Sequence, residues 1–108
     1  MDRTYLTPFD CYEEIGSQLT SAVPEPWKSI TIELEIEAID EIAEYCIYYT
    51  PKGWFRREGQ FFIDDPSLVE CFYRLARLTS KPEIGYFTKC KFVLSEDGAY
   101  RVEFTYPE

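Results

Sequence analysis

The sequence contains no histidine, so the side chains able to hold a cation or move a proton are chiefly its carboxylates. Three close pairs stand out: Glu33/Glu35, Asp64/Asp65 and Glu96/Asp97. Paired carboxylates serve glycoside hydrolysis and the binding of hard cations. Each pair also has a plainer role. Glu33 and Glu35 alternate with Ile32 and Leu34, which on a strand turns them outward to water. Asp65 precedes Pro66, the pattern of an N-cap followed by the first helical residue. Glu96 and Asp97 precede Gly98 and read as turn residues. There is no Gly-rich phosphate loop and no serine in a G-x-S-x-G elbow. Without histidine, a nucleophile would need lysine or a carboxylate as its base. The four cysteines, Cys11, Cys46, Cys71 and Cys90, are scattered and include no C-x-x-C pair. They read as small buried apolar residues rather than zinc ligands or disulfides. The expectation is a protein that is not an enzyme, with no catalytic residues, no cofactor and no metal.

The acids instead point to binding. From Ser29 to Pro51 the chain carries Glu33, Glu35, Glu37, Asp40, Glu41 and Glu44, and no lysine or arginine. Ile30, Ile32, Leu34 and Ile36 alternate with Thr31, Glu33, Glu35 and Glu37, giving a half-buried strand with one aliphatic and one acidic face. Acids two apart on a strand lie ~7 Å from each other and repel by roughly half a kcal/mol in water. A cationic partner would relieve that repulsion. The candidate partner-binding residues are therefore Glu33, Glu35, Glu37, Asp40, Glu41 and Glu44, with Tyr48 and Trp54 as aromatic anchors. Lys89, Lys91 and Arg101 fall at outward positions of later strands. Cross-strand pairing with them would make the same face a solvated lattice of ion pairs.

The elements that must position these residues follow in order. Thr7-Pro8-Phe9-Asp10 starts a helix whose apolar stripe is Phe9, Tyr12, Ile15, Gly16, Leu19, Ala22 and Val23. Pro24-Glu25-Pro26 ends it and leads into the acidic strand. A turn at Ala38-Ile39-Asp40-Glu41 returns the chain as a second strand, about Ile42 to Thr50. Large side chains occupy both faces of that strand, so its inward face is left open. The segment around Trp54 to Ile63 reads as a third strand or an irregular hairpin. Asp65-Pro66 opens a second helix with the stripe Leu68, Val69, Phe72, Leu75, Ala76 and Thr79, its Glu70, Arg74 and Arg77 facing solvent. Strands near Tyr86 to Leu94 and Ala99 to Tyr106 then form a hairpin around Asp97-Gly98. The fold class expected is α+β: a two-layer domain, residues 1–108, with an antiparallel sheet of four to five strands and two helices on one face, in the order α-β-β-(β)-α-β-β.

The net charge of −9 argues against nucleic acid or an anionic membrane as partner, because phosphates call for clustered Lys and Arg. The N-terminal residues lack the apolar stretch of a secretory signal. The longest uncharged run, Ile15 to Pro24, is far too short to span a bilayer. A cytoplasmic protein is expected.

Three stretches carry a resemblance. They are Val23-Pro24-Glu25-Pro26-Trp27 leading into Ile30-Thr31-Ile32-Glu33-Leu34, then Tyr45-Cys46-Ile47-Tyr48-Tyr49, and the ending Gly98-Ala99-Tyr100-Arg101-Val102-Glu103-Phe104-Thr105-Tyr106-Pro107-Glu108. In these the chain resembles the YezG-like immunity proteins of bacterial polymorphic-toxin and contact-dependent growth-inhibition systems. Gly53 to Ile63 lies outside the resemblance. What it implies is a non-enzymatic cytoplasmic protein that binds the C-terminal domain of a cognate toxin, often a basic nuclease, in a stoichiometric complex. Charge complementarity would then speed the encounter, and aromatic residues would form the desolvated centre. The alternatives are a generic acidic interaction module or complex subunit with no toxin partner, and a small ligand-binding domain or enzyme with a deep pocket. Homo-oligomerisation is left open.

Overall fold

The structure is a computed structural model that describes residues 7–53 and 57–107. It is an α+β domain with elements α1 (Pro8–Ala22), β1 (Trp27–Ala38), β2 (Ile42–Pro51), β3 (Gly59–Phe61), α2 (Pro66–Leu78), β4 (Lys89–Ser95) and β5 (Tyr100–Thr105). The strands form one antiparallel sheet in the order β3-β2-β1-β4-β5. The acidic strand β1 is therefore central, hydrogen-bonded to β2 on one side and β4 on the other. Trp54, one of the anchors expected from sequence, lies outside the described residues. Among the described residues, no helix is long and apolar enough to cross a membrane.

Local chemistry sets the helix starts. The Asp10 N–H donates to Thr7 Oγ1 at 3.3 Å while the Thr7 N–H donates to Asp10 Oδ2 at 3.1 Å, a reciprocal cap. The Ser67 N–H donates to Asp65 Oδ1 at 2.9 Å. This bond holds the Asp65 carboxyl below its usual range.

One apolar cluster joins the layers: Ile30, Ile32, Leu34, Ile36, Ile47, Cys90 and Phe92 from the sheet, Cys11, Ile15 and Leu19 from α1, and Leu68, Cys71, Phe72, Leu75 and Ala76 from α2. The inward face of β2, ambiguous in the sequence, carries Ala43, Tyr45, Ile47 and Tyr49. The α1 stripe is rotated from the expected one. Cys11, Ile15 and Leu19 form its fully buried line, and Phe9 is 55% exposed. The small Cys11 side chain suits the line of closest approach, whereas Phe9 falls on the flank beyond Tyr12. The α2 stripe is wider than expected. It takes in Cys71 and Tyr73, because α2 meets both the sheet and α1, where Gln18 Nε2 donates to Ser67 Oγ at 2.8 Å.

The last hairpin starts later than the sequence suggests. Lys81 and Gly85 form an isolated bridge, and the regular strand begins at Lys89. Two tyrosines pin the sheet to its connections: Tyr45 donates to the Ile63 carbonyl and Tyr106 to the Thr79 carbonyl, each at 2.7 Å. The third strand is only Gly59–Phe61. A Cβ placed on Gly59 would sit 2.6 Å from two carbons of the nearly buried Tyr49 ring. Gly59→Ala is therefore expected to lower stability by about 1–3 kcal/mol, read as a shifted urea midpoint.

Candidate functional site

The helices cover one face of the sheet and leave the other open. Strict alternation along β1 puts Thr31, Glu33 and Glu35 on that open face, with Glu37 exposed beyond them. Pairing register then builds rows across it. In one row Glu44, Glu35, Lys89 and Thr105 are successive partners; in the next, Cys46, Glu33, Lys91 and Glu103. Beside these run Tyr48, Thr31, Val93 and Arg101. The first two rows border an open depression of about 520 Å³.

The face is divided electrostatically. Carboxylates crowd β1 and β2, where Glu35 lies directly opposite Glu44. Basic side chains lie on β4 and β5. Lys91 is opposite Glu33 and Lys89 opposite Glu35, as the lattice reading requires. Among the described residues, however, neither lysine comes within ion-pair distance of a carboxylate, whereas Arg101 Nε reaches Glu103 Oε1 at 3.5 Å. Opposite charges thus sit side by side without being locked together. Tyr48 is half-buried beside Thr31. Burial pushes its phenol above the ordinary value, with the Glu33 carboxylate the next cause.

Of the residues expected to meet a partner, Glu33, Glu35, Glu44 and Tyr48 share this face. Glu37 is exposed next to the β1–β2 hairpin, within the register irregularity between Ile36 and Ala38. Asp40 and Glu41 lie in the hairpin turn itself. Asp40 adopts φ 64° there, and its carboxylate pairs with Arg77 of α2. That ion pair ties the turn to the helix layer and separates Asp40 from the acidic face. It also gives Arg77 a partner where the sequence suggested plain solvent exposure.

Cys46 corrects another expectation. Cys11, Cys71 and Cys90 are buried, but Cys46 is exposed on the open face, its Sγ 4.0 Å from Glu33 Oε2. With Tyr45 and Ile47 placed towards the helices by the register of β2, strand alternation turns Cys46 outward. Burial raises the Cys90 thiol to about 12 and the Cys11 thiol to about 11. Because the thiolate is the reactive form, Cys46 should be the one alkylated rapidly in the folded chain, with Cys11, Cys71 and Cys90 reacting only on unfolding. Mass spectrometry of a labelling time course reads this directly. Sequence reasoning also passed over Phe62, which is 71% exposed and stacks on Tyr45 with ring centroids 6.0 Å apart. It lies just past β3 at the β2–β3 edge, beside Tyr45.

Among the described residues, no group of three or more Cys, Asp or Glu is disposed to hold a metal ion. What the arrangement offers chemically is a wide, shallow, charged surface with one aromatic side. No family model and no curated protein matches the sequence.

Proposed function

We propose that this chain is an immunity protein that neutralises a cognate toxin domain, a basic nuclease, by stoichiometric binding in the cytoplasm of the cell that makes both. The observation that carries this reading is the open sheet face, where Glu33, Glu35 and Glu44 crowd together beside Tyr48 on a rigid central strand pair. A nuclease must hold phosphates and so presents clustered cations. An acidic face on a rigid sheet would steer such a domain to encounter and exclude its nucleic acid by occupying the same charges. The resemblance to the YezG-like immunity proteins supports the same role.

The test is co-expression with the C-terminal domain of the large open reading frame adjacent to its gene. The reading expects that cells survive the toxin domain only when this chain is present, and that the two proteins co-purify in a complex weakened by salt. Death despite expression of the folded chain, with no complex, would contradict it. The lysines opposite Glu33 and Glu35 favour a second reading, an adaptor whose partner has mixed charge. Under that reading a complex would form with another protein and toxin survival would be unaffected.

A further inference from the structure

We infer that two copies of this chain associate through β5, edge to edge, to form one continuous antiparallel sheet. This stands independently of the proposed function. Among the described residues β5 is a terminal strand of the sheet, and six residues long, whereas β3 at the other edge has only three. Ser95 donates to the Ala99 carbonyl at 2.8 Å, and the register continues through Val93↔Arg101, Lys91↔Glu103 and Lys89↔Thr105. By antiparallel alternation these β5 residues turn their backbone groups towards β4. Tyr100, Val102 and Phe104 consequently present N–H and C=O groups along the outer edge.

The sequence of that edge is complementary to itself. A two-fold axis at Val102 pairs Val102 with its own copy and Tyr100 with Phe104, each pair able to exchange two N–H···O=C bonds. The same axis sets Arg101 directly opposite Glu103 of the second copy, in the close, non-hydrogen-bonded position. Sliding the axis to Arg101 would oppose arginine to arginine, and sliding it to Glu103 would oppose glutamate to glutamate. A slip that swaps the two faces would put Tyr100, Val102 and Phe104 over the charged side. Charge therefore selects one register. Edge strands are ordinarily protected by their charges; here Arg101 and Glu103 discourage foreign strands while matching a second copy.

The flank adds apolar surface. Tyr100 is 38% exposed at this edge, and Tyr12 of α1 packs against it with ring centroids 5.4 Å apart. Phe9, 55% exposed, lies one helical turn from Tyr12 on the same flank. Pairing of two β5 strands would bring these rings beside those of the second copy.

Sedimentation velocity of the full chain across micromolar to submillimolar concentration tests this. The wild-type chain is expected to form a dimer. Val102→Pro removes an outward N–H without touching the β4 ladder, and should leave a folded monomer by circular dichroism. Arg101→Glu or Glu103→Arg alone should weaken the dimer about tenfold or more, since each places like charges opposite one another twice. The double swap Arg101→Glu/Glu103→Arg should restore it. If Val102→Pro fails to fold, the charge series decides alone. A wild-type monomer at the highest concentration, a dimer indifferent to the single reversals, or a double swap that restores nothing would each overturn the inference.

Discussion

Replacing Glu33, Glu35 and Glu44 together by lysine is expected to weaken binding of the proposed toxin domain by about 10²–10³-fold. Each substitution turns an attraction into a repulsion against a basic surface, and about 1 kcal/mol per reversed charge multiplies to that range. The association rate should carry much of the loss and show a flattened salt dependence. Stability should change far less. Reversal opposes lysine to Lys91 and Lys89 across the β1–β4 ladder, at about 0.2–1 kcal/mol per pair. It replaces the existing Glu35–Glu44 opposition with another like-charge pair. A domain with roughly 5–15 kcal/mol of stability tolerates this. Affinity measured by calorimetry on a variant with a normal melting curve therefore isolates the surface from the fold.

Phe92→Ala is expected to be the most damaging single change to the fold, at about 3–5 kcal/mol. Phe92 is fully buried on β4. Its ring lies 6.2 Å from that of Tyr12 on α1 and 5.5 Å from that of Tyr100 on β5, so it joins the helix layer to the edge strand. Truncation leaves a cavity that rings held by a sheet and a helix cannot easily fill. For a chain of this length the loss corresponds to a melting temperature lower by about 15 °C or more. Calorimetry checks it. A drop of only a degree or two would mean that the core repacks around the missing ring.

Much of this architecture was legible because its signals are local. Thr7-Pro8 and Asp65-Pro66 mark helix starts through bonds spanning two or three residues, and Asp97-Gly98 needs only its own turn geometry. The alternation of Ile30 to Glu37 marks both faces of β1 from sequence alone. What stayed hidden depends on tertiary neighbours. The inward face of β2 is set by its register with β1, since Tyr45 and Tyr48 are equally large. The burial of Cys11 and exposure of Phe9 follow from how α1 rolls onto the sheet. The pairing of Asp40 with Arg77 joins residues 37 positions apart, which no spacing rule anticipates. The acidic face was legible as a strand pattern. That lysines stand directly opposite two of its glutamates is a property of strand order and register.

The central claim is that the partner sits on the open face, where Cys46 lies between Glu44 and Tyr48 along β2 and opposite Glu33. The alkylation rate of Cys46 should be measured in the free chain and in the saturated complex with the proposed toxin domain. If the partner covers Glu33, Glu35, Glu44 and Tyr48, labelling of Cys46 should slow at least in proportion to the bound fraction, while the three buried thiols stay unreactive in both states. An unchanged rate at Cys46 in a fully formed complex would contradict the account, since the partner would then be bound elsewhere.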